Sequence, residues 1–201
     1  MRADENPMRS AKYAGAVPST KTPLTTSVLL TCAAIGVATG VLGGLAGWLT
    51  PVILATVPIL YGIILGAHVL PGIIAQELIR LPWVALISHV VAALVASAMA
   101  PQWAPRFIGT AILFGGIQEA VAALTRYRVW VAWRFFISAL AIGVVVAVAV
   151  AFAAHLSTLP FWAQITYLVV AVLGPVGWTA VGLGVGSGLR RAGVARSAAG
   201  R

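Results

Sequence analysis

The run FIGTAILFGGIQEAVAALT, residues Phe107–Thr125, is long and apolar enough to cross a membrane, yet it carries a carboxylate, Glu119. A charged side chain within a bilayer costs roughly 2.5–3.5 kcal/mol on insertion scales, so it turns towards protein and marks a binding site or an ion path. Gln118 precedes it. At helical spacing, Gly115 and Ala111 lie one and two turns away on the same face, and Gly116 is also one turn off. This face of small residues ending in an acid is expected to form the floor of a small-molecule pocket, with Glu119 accepting hydrogen bonds from an amine-bearing or cationic ligand. The structural alternative is an acid bonded to a neighbouring helix, through His89 or His68.

Composition agrees with a membrane setting. Of 201 residues, 61% are hydrophobic and 8% charged, with a mean hydropathy of +1.01. Soluble domains carry about 25% charged residues. The net charge of +9 does not mark a nucleic-acid binder, because the cations sit at the ends of apolar runs, where they set topology. The single cysteine, Cys32, lies in an apolar run and is expected to be a buried filler.

A bilayer core needs about 20 helical residues. On that measure the chain is expected to be an all-α integral membrane protein, a six-transmembrane-helix bundle. The spans fall at 24–49, 57–79, 82–100, 107–125, 135–155 and 164–189. Residues 1–23 read as a disordered basic N-terminal tail, 24–191 as the membrane domain and 192–201 as a basic C-terminal tail. The run from Pro51 to Ile79 is too long for one straight helix, and a bent or re-entrant segment before Pro58 is expected to absorb the excess.

An even span count puts both termini on one side. With both termini cytoplasmic, twelve of the thirteen Lys and Arg residues fall inside and only Arg106 outside, as the positive-inside bias requires. Trp48, Trp103 and Trp162 then mark the outer boundary, and Trp83, Trp130 and Trp133 the inner one.

Other polar features are sparser. Gln164, Tyr167, Ala171, Gly174 and Trp178 share a face of the sixth span, an aromatic ladder suited to stacking a planar ring, or simply to packing. Pro175 is expected to kink that helix. His89 and His68 sit mid-span, as ligand contacts or as helix–helix hydrogen bonders, and His155 lies at the outer boundary. Glu77 and Arg80 read as a surface ion pair. Gly36, Gly40 and Gly44 form one small-residue row of the first span, and Ala34 and Ala38 another; each suits close helix approach, within the bundle or against another subunit. Gly182 and Gly186 carry the same two readings. There is no phosphate-binding loop, nucleophile elbow or zinc-protease motif. No enzymatic activity, cofactor or metal is therefore expected.

Three blocks carry a family resemblance: Pro58-Ile-Leu-Tyr61-Gly62, Arg80-Leu-Pro82-Trp-Val-Ala85-Leu, and Gln118-Glu119-Ala-Val…Thr125-Arg126-Tyr127-Arg128-Val-Trp130. In these the sequence resembles the substrate-binding S components of energy-coupling factor (ECF) vitamin transporters, in the YkoE-type branch linked to thiamine and its hydroxymethylpyrimidine precursor. It departs from that pattern at position 89, where His replaces an acid. The resemblance implies a multi-pass protein of a bacterial cell (inner or plasma) membrane that captures a vitamin at the outer face. It also implies a transmembrane coupling subunit and two cytoplasmic ATPases as partners, with Ala34 and Ala38 resembling the docking motif. On this reading Glu119 and Gln118 hold the aminopyrimidine, Trp178 and Tyr167 stack a ring, and Tyr61, His89 and Gly115 add contacts. The alternative is a stand-alone small transporter or channel in which Glu119 carries a proton or cation.

Overall fold

The computed structural model describes residues 24–153 and 159–194. His155, the N-terminal tail 1–23 and residues 195–201 of the C-terminal tail read from the sequence lie outside the described residues. All regular structure among the described residues is helical. Helix α1 (Thr26–Thr56) is followed by a broken rod, in which α2 (Tyr61–Gly66) and α3 (Leu70–Ile79) are joined by a tight 3-10 turn at Ala67–Val69. Then come α4 (Val84–Met99), α5 (Ala104–Leu124), α6 (Ala132–Ala153) and α7 (Phe161–Arg191). Five segments, counting Pro58–Ile79 as one, are long and apolar enough to cross a membrane; α4, with 16 residues, is shorter.

The excess before Pro58 is not absorbed by a re-entrant segment. α1 continues through Pro51 to Thr56, a 31-residue helix of about 46 Å at 1.5 Å per residue. The irregularity falls further on, where 3-10 turns at Pro58–Leu60 and Ala67–Val69 interrupt the second rod. α7 likewise stays helical through Pro175.

Small residues decide which helices touch. A Cβ added at Gly36 would sit 2.6 Å from the Val91 Cβ, and one at Gly40 2.7 Å from the Ala92 carbonyl oxygen. The glycine row of α1 is thus the internal seam against α4, while Ala34 and Ala38 are exposed on the outer face. Gly62 and Gly174 bring α2 and α7 into backbone contact, since a Cβ at Gly174 would lie 2.2 Å from the Gly62 oxygen. Gly182 and Gly186 pack on Ile73 and Glu77 of α3, so they too serve the interior.

The principal core joins Tyr61, Leu65, Val69, Ile73, Phe114, Phe135, Ile142 and Tyr167. A second cluster packs the start of α1, with the fully buried Cys32, against α3. The outer surface is apolar, with Leu30, Leu94, Ile112 and Phe152 among its exposed side chains. That inversion is what a lipid solvent allows.

Candidate functional site

Glu119 caps a helix. One carboxylate oxygen accepts the Ala85 N–H at 2.9 Å, the other the Trp83 N–H at 3.0 Å, and the Gln76 amide donates from 3.4 Å. The first N–H groups of a helix lack intrahelical partners, and its N-terminus carries partial positive charge, so a carboxylate there is well placed. Left-handed backbone at Arg80 and Trp83 turns the chain sharply between α3 and α4 and presents those N–H groups. Glu119 lines neither the two cavities around His68 nor the groove beside Trp178. Backbone N–H groups, rather than a histidine, are the partners of this carboxylate.

A chain of buried polar groups extends from this cap. Arg134, only 1% exposed, donates to the Gln76 side-chain oxygen at 3.2 Å and lies over the Trp130 and Phe135 rings, 4.5 and 4.3 Å from their centroids. Glu77 forms the expected ion pair with Arg80, at 3.6 Å, but its carboxylate is buried rather than at the surface, and Arg190 is a second partner. In the α5–α6 loop, burial and then the charge of Glu119 push the Tyr127 phenol up.

Gln118 and His89 form a second, linked unit. The Gln118 amide nitrogen donates to the Val69 carbonyl at 3.1 Å, and its oxygen lies 3.0 Å from His89 Nε2. An amide oxygen only accepts, so Nε2 carries the hydrogen and Nδ1 is left as an acceptor. Gly72 makes room for this arrangement, because a Cβ there would lie 1.8 Å from the Gln118 oxygen. Gly115 lets Leu86 of α4 approach beside His89.

The interior space of the bundle begins at His89 and runs the other way, along α1, α2, α4 and α5. Two cavities share His68, Phe107 and Thr110. The inner one, ≈ 20 Å³, is lined by His89, Ala93 and Ala96 from α4 and by Gly40 and Gly43 from α1. The outer one, ≈ 10 Å³, is lined by Tyr61, Trp103, Arg106 and Thr50. Each has room for about one water, so the cleft is nearly closed and a ligand enters only if its walls part.

The outer end carries the chemistry. Arg106 lies over the rings of Tyr61 and Trp103, 5.0 and 5.3 Å from their centroids, and pairs with no carboxylate among the described residues. The Trp103 indole N–H is buried without a partner, a state that costs about 1–3 kcal/mol. His68 stacks on Phe107 with centroids 5.9 Å apart. Its Nδ1 is buried without a hydrogen-bond partner.

Of the residues singled out from the sequence, Tyr61 and His89 line the cleft, and Gln118 and Gly115 adjoin His89. Tyr167 is buried in the core beside Tyr61. Trp178 packs on the edge of the same core: its indole N–H donates to the Ile63 carbonyl at 2.8 Å, and it borders an open apolar groove with Leu173 and Val181. None of these three cavities is lined by both Trp178 and Tyr167. The sequence marks Arg106 as a topology signal, Trp103 as an interface residue and His68 as a ligand contact or helix–helix hydrogen bonder, and gives Phe107 no role beyond starting an apolar run. The available signal was that Arg106 stands alone at its end of the bundle and shares a helical face with Trp103.

A family model described as "ABC-type cobalt transport system, permease component" matches residues 28–145, more than half of the chain. The chain belongs to this family. It is thus a multi-pass membrane component of a transport system, not an enzyme. The crystal structure of an S-component of an ECF transporter superposes with a TM-score of 0.76 at 23% identity, covering 86% of this chain and 89% of that one. That likeness establishes the fold. No curated protein matches the chain. The two small interior cavities lie towards the Arg106 end of the bundle and the buried ion network at the other.

Proposed function

We propose that the protein is the substrate-capture (S) subunit of an ECF-type ATP-driven importer, with six membrane-crossing helices, cytoplasmic termini and the Arg106 end facing outward. The observation carrying this reading is the internal cleft at the Arg106 end, within a fold shared with an S-component. Its aromatic walls suit a small organic ligand better than a bare ion. The family description names cobalt, but the described residues contain no group of three or more His, Cys, Asp or Glu side chains able to hold a metal.

Thiamine or its pyrimidine precursor, suggested by the resemblance around Gln118–Trp130, is the first compound to titrate. Tyr61 and His89 remain ligand contacts in this proposal, while Glu119 and Gln118 act behind them by fixing α4 and His89. Ala34 and Ala38, exposed on α1, are the proposed docking row for a transmembrane coupling subunit that works with two ATPases.

Liposomes test the proposal. Uptake is expected only when the coupling subunit and ATPases are reconstituted with this chain and ATP is supplied. Flux through the chain alone would favour the stand-alone cation or proton transporter instead.

A further inference from the structure

We infer that the cleft takes an anionic ligand, a small aromatic molecule bearing a carboxylate or phosphate, recognised by the Arg106 guanidinium and the Trp103 indole N–H. The inference rests on the capture reading and names its substrate class.

Charge balance is the first argument. The chain has only four acids. Glu77 is paired with Arg190 and Arg80, and Glu119 is held by the start of α4, both at the far end of the bundle. The remaining two, Asp4 and Glu5, precede α1 and lie outside the described residues. The cleft wall thus contains no carboxylate to neutralise Arg106 or to attract a cation.

Hydrogen-bond inventory is the second. Arg106 is held against ring faces, and stacking of that kind leaves the guanidinium's edge N–H donors available as a fork that matches a carboxylate or phosphate. The buried Trp103 N–H can only donate, and it is unpartnered beside the same cavity. Both donors call for an acceptor-rich group. Phe107, Tyr61 and the His68 ring supply flat apolar surface further in, suited to an aromatic body.

Matched compounds separate charge from shape. Melting of the full-length chain in lipid nanodiscs is followed with millimolar benzoate, benzamide, benzylamine, phenyl phosphate, phenol and thiamine. Benzoate or phenyl phosphate is expected to stabilise the protein more than its neutral or cationic counterparts, and whichever is stronger identifies the anion. Arg106→Gln is expected to abolish the preference, with affinity falling about tenfold or more, and Trp103→Phe to weaken it. A stronger effect of benzylamine or thiamine would overturn the anionic class and leave the capture reading standing. An anion preference that survives in Arg106→Gln would overturn the assigned residues. If no compound shifts the melting point, the anionic class fails, and the capture reading is decided separately by ATP-dependent uptake in liposomes.

Discussion

The Ala85 backbone N–H of α4 and the Glu119 carboxylate of α5 are joined by a 2.9 Å hydrogen bond, and the Trp83 N–H reaches the other carboxylate oxygen. This contact ties the Glu119 carboxylate to the start of α4. A helix begins against it, and that helix carries His89 into the cleft.

Removing the charge at position 119 is therefore expected to cost stability before it costs binding. Glu119→Gln should lower stability by about 0.5–2 kcal/mol, the range for helix caps, and Glu119→Ala by more. Thermal melts in detergent, set beside ligand titration followed by Trp fluorescence, check this. A large loss of affinity with unchanged melting would return Glu119 to the ligand.

Arg134 carries a larger share of the same network. Arg134→Ala removes the donor to Gln76, leaves Glu119 without a nearby buried cation and opens a void beside Trp130 and Phe135. A loss of about 3–5 kcal/mol is expected, read as poor folded yield or a strongly lowered melting temperature. Arg134→Met, which fills the space without the charge, should recover only part of it.

The two small-residue rows of α1 should behave differently. Gly40→Val drives side-chain atoms into Ala92 and Val95 and is expected to destabilise by about 1–3 kcal/mol. Ala38→Leu lies on the exposed face and should change stability by no more than about 0.5 kcal/mol. If this row docks the coupling subunit, Ala38→Leu will nonetheless reduce co-purification with it. Melting curves and pull-downs of the two variants separate the roles.

Gly72 and Gln118 give a test of the deep end of the cleft. Gly72→Ala places a methyl group where the Gln118 oxygen lies, so the amide must leave His89 or Val69. A loss of about 1–3 kcal/mol is expected from the buried groups left unpaired. Gln118→Leu in the same background should restore part of it, because the colliding oxygen is gone.

Trp103→Phe offers a contrasting outcome. The indole N–H it removes is buried without a partner, so the ligand-free protein should be unchanged or stabilised by up to about 1 kcal/mol. A clear fall in melting temperature would mean that the N–H has a partner in the membrane.

Several parts of this protein follow from the chain alone. Long apolar runs had to become helices, because an unpaired backbone group in lipid costs several kcal/mol. Hydropathy, a local property summed along the chain, therefore located the spans near their observed places, and the apolar run around Cys32 marked it as buried. The glycine and alanine rows of α1 were also visible, but their division of labour was not: the rotation of α1 against α4 put Gly36 and Gly40 inside and Ala34 and Ala38 outside. Tertiary structure alone decided the fate of the ionisable groups. Whether Glu119 met a ligand or the first N–H groups of α4 depended on a left-handed turn at Arg80–Trp83 that no periodicity encodes. Arg106, read from the sequence as a topology marker, gained its meaning only when folding laid it over Tyr61 and Trp103 at the mouth of a cleft without acids. Partners for a charge come from other helices, through distances and directions that a linear pattern does not contain.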